Sequence, residues 1–190
     1  EDETHNPTGK RVTTNDYGSA DYYYVNKSSL PKVYGGFNTS LSWKGFDLSA
    51  IFAYSIGGYI YNRDITMILH NGSLEGRDWS TEILKRWTPD NRNTDVPALS
   101  TTTNNWNSAS TRFLQNNSYM RLKNLTLSYN LPKQWISKLS LSSVQVYVQG
   151  DNLFTIHRNQ GLDPEQGITG ITYYRYPAMR TISGGINVSF

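Results

Sequence analysis

The segment Phe46–Gly57, which reads FDLSAIFAYSIG, alternates between two kinds of side chain along its length. Its even-numbered positions are apolar: Phe46, Leu48, Ala50, Phe52, Tyr54 and Ile56. Its odd-numbered positions are mostly smaller or more polar: Asp47, Ser49, Ile51, Ala53, Ser55 and Gly57. Because successive side chains of a strand point to opposite faces, this period of two predicts a β-strand with one apolar face.

The neighbouring segments repeat this pattern. The run GGFNTSLSW (35–43) alternates in the same way, and only Lys44 and Gly45 separate it from the first segment. Such a pair of runs predicts a two-residue β-hairpin in which Gly45 supplies a positive φ. Further alternation lies in three later segments, although it is lost near Gly150 in the second of them. The sequence therefore predicts an all-β chain of about five antiparallel strands, at 34–43, 46–57, 118–131, 142–156 and 178–190.

Composition favours a membrane environment for these strands. Aromatic residues make up 13% of the chain, with 14 Tyr and 5 Trp, yet the mean hydropathy is −0.57. This combination is typical of a transmembrane β-barrel, although a soluble β-sandwich or lectin has a similar composition. The clean runs have roughly the 9–11 residues that a tilted strand needs to cross a bilayer. Aromatic residues at strand ends on the apolar parity would form the interfacial belts: Trp43, Phe46, Tyr54 and Phe190.

Several other classes of protein are disfavoured. The net charge of +3 and the absence of any Lys/Arg run argue against a nucleic-acid partner. The absence of cysteine excludes disulfide frameworks and thiolate metal sites. No apolar run approaches the ~18 residues of a transmembrane helix. His5, His70 and His157 are far apart in sequence and belong to no catalytic motif, so we expect no enzyme.

Long and short connections alternate along the chain. Lys44-Gly45 and residues 132–141 are short, with Pro132 opening a helical turn through Trp135 and Ile136, whereas residues 58–117 and 157–177 are long. Outer-membrane barrels have long external loops and short periplasmic turns, so the long connections and residues 1–33 are predicted to be extracellular. Five strands are too few for a barrel, and we expect residues 34–190 to be a portion of a larger one. In the strand at 118–131, Arg121 and Lys123 fall on the apolar parity, so its first half is expected to rise above the membrane.

Five segments in this order carry a family resemblance: PKVYGGFNTSLSWKGFDLSAIFAYSIGG, SYMRLKNLTLSYNLP, VQVYVQGDNLFTI, GLDPE and SGGINVSF. Together, over about Leu30 to Phe190, they closely resemble the C-terminal part of SusC/RagA-type TonB-dependent outer-membrane transporters. The resemblance implies a barrel of about 22 strands in the bacterial outer membrane, with an N-terminal plug that lies elsewhere in the protein. It implies import of oligosaccharides or peptides, a SusD-like surface lipoprotein as partner, and energy from the TonB complex.

The resemblance also gives the end of the chain a role. Ser183, Gly185, Val188 and Phe190 match the polar-x-Gly-x-x-apolar-x-aromatic signal that the barrel-assembly machinery recognises on a last strand. An unpaired edge strand is suited to capture by strand addition. In the alternative interpretation, Phe190 is only a residue of the aromatic belt.

Candidate contact residues lie in the long connections. Trp79, Trp106, Tyr173 and Tyr174 suit stacking on substrate or contact with the lipoprotein, or they form the small cores of their own loops. The segment DWSTEILKRW (78–87) predicts a short helix that Asp78 caps and that either meets a partner or packs the loop. Its apolar face would comprise Ile83, Leu84 and Trp87.

Two polar clusters resemble chemical sites. Asp163-Pro164-Glu165 offers two carboxylates, but their spacing does not indicate a glycosidase pair, and a role in loop structure is expected. Asp90, Asn91, Asn93 and Asp95 loosely resemble a calcium loop that lacks the glycine and final glutamate of the EF-hand. We therefore expect no cofactor, with calcium in this loop as the alternative. A soluble carbohydrate-binding β-sandwich is the main alternative function, and a small secreted hydrolase is a third.

Overall fold

The computed structural model describes residues 14, 16–70, 74, 76–100, 105–159, 161, 163–165 and 169–190. Residues 1–13, which include His5, lie outside the described residues, as do Asn15 and Leu162, the second residue of the GLDPE segment. The chain divides into two compact units, one from the ranges 1–26 and 63–113 and the other from 27–62 and 114–190. The assignment of residues 1–33 to an extracellular segment stays a prediction.

Seven strands are present in the described residues: β1 (Pro31–Trp43), β2 (Phe46–Gly57), β3 (Tyr59–Tyr61), β4 (Leu114–Asn116), β5 (Tyr119–Asn130), β6 (Ser143–His157) and β7 (Thr181–Ser189). Five of them form one antiparallel sheet in the order β1-β2-β5-β6-β7. These are the five predicted strands, each found within three residues of its expected bounds. The short strands β3 and β4, which the sequence pattern did not indicate, pair with each other.

The helices are short and lie in the connections: α1 (Arg63–Ile68), α2 (Lys133–Ile136), and 3₁₀ helices at Tyr17–Ser19, Thr81–Lys85, Asn105–Asn107, Thr111–Phe113 and Ser137–Leu139. The helical turn predicted after Pro132 is therefore confirmed. Of the helices that the structure describes, none combines the length and the apolar character that a membrane span requires.

The helix predicted at 78–87 is shorter than expected and is capped by a different residue. It is the 3₁₀ helix Thr81–Lys85, and its N-cap is Ser80, whose hydroxyl accepts a hydrogen bond from the Glu82 N–H. The prediction that Asp78 caps the helix is wrong, because the backbone becomes helical only after Ser80. The helix ends at Arg86, where the chain extends and the next N–H donates to Val96.

The register of strand pairing places the apolar positions of neighbouring strands on one face of the sheet. Phe37 lies opposite Phe52, and the two rings stack with centroids 4.7 Å apart. Phe46 lies between Trp43 and Tyr129 on the neighbouring strands. Many large apolar side chains of this face are exposed, although Ala50 and Leu122 on it are buried. The opposite face carries most of the polar side chains of the five strands. The Lys44-Gly45 hairpin is also confirmed, with φ of 48° and 87°, as a two-residue turn of the I′ type requires.

One β-bulge changes the faces of β5. The register with β2 shifts between Ile51 and Phe52, so that Lys123 is an extra residue on β5. An extra residue reverses the parity of the side chains that precede it. Leu122 therefore lies opposite Phe52 on the apolar face, and Arg121 lies opposite Ala53 on the polar face. The expectation that Arg121 shares the apolar parity is wrong, because it assumed an unbroken alternation.

Candidate functional site

The polar face of the sheet holds a buried arginine. Arg121 is only 3% exposed, and its Nε donates to Thr155 Oγ1 at 2.9 Å on the adjacent strand β6. Its Nη2 donates to Asp163 Oδ1 at 2.5 Å, and its Nη1 donates to Glu165 Oε2 at 2.7 Å. Both carboxylates belong to the β6–β7 loop (residues 158–180). The guanidinium therefore ties this loop to the sheet.

The two carboxylates have further partners. Asp163 accepts hydrogen bonds from the N–H groups of Glu165, at 2.9 Å, and Ala178, at 2.6 Å. Glu165 also pairs with Lys123, the bulge residue, at 2.5 Å. Burial by itself raises the pKa of Asp163, but the hydrogen bonds from Ala178, Arg121 and Glu165 and the positive charge of Arg121 outweigh it and lower the pKa. Asp163 is thus held as a carboxylate.

These contacts support the expectation that Asp163-Pro164-Glu165 has a role in loop structure. Both carboxylates are occupied by the same guanidinium, which gives them a positioning role. The sequence offered one signal for this arrangement, namely the two cations Arg121 and Lys123 on an otherwise apolar parity. That signal could not be interpreted without the bulge at Lys123.

Hydrogen bonds to backbone groups hold the β6–β7 loop at a second place. The Tyr61 N–H donates to Gly170 O at 2.7 Å, and the Thr172 N–H donates to Tyr61 O at 3.1 Å. Asn117 Nδ2 donates to Pro164 O at 2.8 Å. Thr172 is buried, so the described parts of this loop have a fixed base.

The predicted contact residues Tyr173 and Tyr174 follow this base directly. Both are more than half exposed. Tyr174 has a φ of 40°, a backbone conformation that non-glycine residues rarely adopt and that is often found at functional sites. Tyr176, which the sequence interpretation did not single out, is 96% exposed. Their contact with a substrate or a lipoprotein stays a prediction.

The other two predicted contact residues belong to the other compact unit. Trp79 packs edge-on against the buried His70, with ring centroids 5.3 Å apart. The ring of Trp106 lies 3.6 Å from the guanidinium carbon of Arg112, which also pairs with Asp95 at 2.9 Å. These contacts favour a role in packing their own loop.

In the alternative calcium loop, residues 90–95, the side chains form hydrogen bonds and an ion pair within the protein. Asn91 Nδ2 and Thr94 Oγ1 both donate to Lys85 O, at 3.0 and 2.6 Å. Asp95 is paired with Arg112. Within the described ranges, no group of three or more His, Cys, Asp or Glu residues gathers as a metal-ligand set.

The residues of the predicted assembly signal lie on or just after β7, an edge strand of the sheet in the part of the chain that the structure describes. Gly185 lies opposite Tyr147, and a Cβ at Gly185 would lie 2.7 Å from the Tyr147 hydroxyl and 2.9 Å from its ring. Packing against Tyr147 therefore explains a glycine at this position independently of any assembly signal, because a side chain here would collide with the tyrosine. Ser183 and Val188 lie opposite Gln149 and Val144, and Phe190 is 93% exposed. Their role in assembly stays a prediction.

Comparison with known proteins identifies the sheet. No protein-family model matches the chain. The chain is 35% identical over 166 residues to TonB-dependent receptor P3 of Formosa agariphila, a match that covers 82% of the chain and 16% of the relative. It is 27% identical over 168 residues to TonB-dependent receptor SusC of Bacteroides thetaiotaomicron, covering 88% of the chain and 16% of the relative.

A solved structure agrees with these relatives. The RagAB peptide importer in its open-open state matches 94% of the chain and 19% of the solved chain, with a TM-score of 0.81 and 35% identity. The chain thus spans about a sixth to a fifth of the length of the proteins it matches. The soluble β-sandwich is set aside, because the matching sheet forms barrel wall in these relatives. The chain therefore belongs to the SusC/RagA-type TonB-dependent receptors of the bacterial outer membrane, and its five-stranded sheet is part of their transmembrane β-barrel.

Proposed function

We propose that the full protein containing this chain is a TonB-dependent importer that takes up oligosaccharides or peptides across the outer membrane. One observation carries the proposal. The five-stranded sheet, with one apolar and one polar face, matches the RagAB peptide importer over 94% of the chain with a TM-score of 0.81. This chain would supply barrel wall and external loops, and other parts of the protein would supply the plug.

The chemistry of the two faces supports a wall between lipid and water. Exposed apolar side chains on one face suit acyl chains. On the other face, charged groups are paired within the sheet. Asn130 Nδ2 donates to Asp47 at 2.7 Å, and Asn124 Nδ2 donates to Asp151 at 2.8 Å. A face that carries acidic side chains requires water or a polar plug beside it.

The proposal includes the partners that the resemblance implies, namely a SusD-like surface lipoprotein and the TonB complex. The relatives are named as receptors and a transporter, and the chain's own paired carboxylates suit a structural role. We therefore propose no catalytic activity for this part of the protein.

Uptake by whole cells tests the proposal. The gene for the full-length protein is deleted, and uptake of fluorescently labelled oligosaccharide and peptide mixtures is measured before and after complementation. Uptake of one class should fall on deletion and return with the intact gene, but only in cells with a functional TonB. An affinity-tagged full-length protein should retain a surface lipoprotein during purification. Unchanged uptake of both mixtures in the deletion strain would contradict an import function.

A further inference from the structure

A cavity of about 660 Å³ lies in the sheet-containing unit, beside the end of β6 that leads into the β6–β7 loop. One side of it is formed by residues of β6, including Thr155 and His157. The other side is formed by the returning limb of the loop, including Arg175 and Arg180. Arg121 lies at its inner wall with Asp163. The cavity therefore brings together three arginines and one carboxylate.

The charges around this cavity do not cancel. Arg121 and Lys123 carry two positive charges, and their partners Asp163 and Glu165 carry two negative charges, so this cluster is neutral. Arg175 and Arg180 line the same cavity, and in the described part of the chain neither forms an ion pair. The residues that line the cavity and their ion-pair partners thus leave a surplus of two positive charges, from Arg175 and Arg180.

Arg175 is an exposed arginine in an aromatic segment of the loop. It lies between Tyr174 and Tyr176, both strongly exposed, and Pro177 restricts the backbone that follows. The base of the loop is fixed by Thr172 on one side and by the hydrogen bond from Ala178 to Asp163 on the other. Because the flanking backbone is already ordered, less conformational entropy is lost when a ligand binds.

We propose that this cavity binds a carboxylate of the imported ligand, with Arg175 and Arg180 as its charge partners and the flanking tyrosines in contact with the rest of the ligand. A guanidinium matches a carboxylate in shape and charge, since two parallel N–H groups reach its two oxygens. The carboxylate belongs either to a uronic acid in an oligosaccharide or to a peptide. The inference rests on the proposed import function and narrows its substrate class to acidic ligands.

Binding to the purified full-length protein in detergent tests this inference with two matched pairs of probes. Trigalacturonate is compared with its neutral methyl ester, and N-acetyl-trialanine is compared with its C-terminal amide. For one of the two pairs, the wild-type protein should bind the acidic member roughly ten-fold more tightly than the neutral member. The pair that shows this preference identifies the source of the carboxylate. Higher salt should weaken the preference, because it screens exposed charges.

Substitution of the two arginines identifies the site. The double variant Arg175→Gln/Arg180→Gln should bind both members of the pair equally, with the affinity for the neutral member unchanged. Arg158→Gln is the matched control, since Arg158 is an exposed arginine of the same loop that does not line the cavity, and it should keep the preference. The inference is overturned if the wild-type protein binds acidic and neutral probes alike, or binds neither. It is also overturned if the double variant keeps the preference.

These results are separable from a failure of the proposed function. A protein that sustains TonB-dependent uptake in cells but binds acidic and neutral probes alike would keep its import function and lose this inference. Unchanged uptake on gene deletion, together with a carboxylate preference in the purified protein, would contradict the import function and keep the carboxylate-binding site.

Discussion

Arg121 and Asp163 are 42 residues apart in the chain, and their Nη2 and Oδ1 atoms lie 2.5 Å apart in the fold. Both side chains are buried, with 4% and 7% of their surface exposed. A buried charge that loses its partner is strongly destabilising, so the position of the β6–β7 loop depends on this pair.

Replacement of Arg121 by Met should release the β6–β7 loop, because Asp163 would be left buried without its cation. The expected local cost is about 3–5 kcal/mol, as for other broken buried ion pairs. Limited proteolysis of the full-length protein in detergent should then cleave within residues 158–180 while the rest of the barrel stays intact. Lys123→Met is the control, since Lys123 is about one-third exposed and its loss should cost at most about 1 kcal/mol. Equal protease resistance of wild type and Arg121→Met would contradict the anchoring role.

Acid should release the same loop. The pKa of Asp163 is lowered in the folded protein from its ordinary value of 3.8, so its ionisation contributes stability above that value. The contribution is lost as the pH falls below 3.8 and through the lower folded pKa. Hydrogen exchange at Ala178, whose N–H donates to Asp163, should therefore become faster only in this acidic range. In Asp163→Asn the same amide should show no such pH step, and a step that persists in this variant would assign it to another group.

Phe52→Arg should destabilise the barrel in membranes by roughly 2–4 kcal/mol, because it places a charge on the lipid-facing side of β2. It also removes the stack with Phe37. Ile51→Arg is the matched control, since Ile51 is the preceding residue and points to the polar face. Urea-dependent unfolding of the full-length protein in lipid vesicles measures both variants. A larger loss for Ile51→Arg than for Phe52→Arg would mean that the two faces are reversed.

Deletion of Phe190 should lower the amount of full-length protein in the outer membrane, if the end of β7 is recognised by the assembly machinery. Surface labelling of intact cells, compared with the total cellular protein, measures this. Phe46→Ala serves as the control, because Phe46 is another strand-end aromatic on the apolar face and belongs to no assembly signal. A similar decrease for both variants would support the belt interpretation of Phe190 instead.

The positions of the strands could be predicted well because they depend on patterns among residues that are close in sequence. In Phe46–Gly57 the period of two follows directly from the pleat of a strand, and Lys44-Gly45 supplied the turn that its neighbours required. The same alternation predicted which residues of β1 and β2 share a face. The helix at 78–87 was less well predicted, because Asp78 and Ser80 are both good caps and the sequence does not decide between them.

The sequence by itself therefore determined the five strands, their hairpin, the two faces of β1 and β2 and the membrane barrel to which they belong. Only the tertiary structure decided that Lys123 is a bulge residue, that Arg121 turns to the polar face, and that Asp163 and Glu165 meet it there. It also decided that Arg175 and Arg180 line one cavity. The physical reason is the distance along the sequence over which each feature is determined. Alternation depends only on neighbouring residues. These ion pairs and this cavity join distant residues, which are brought together by the register of the paired strands and by the path of the loop.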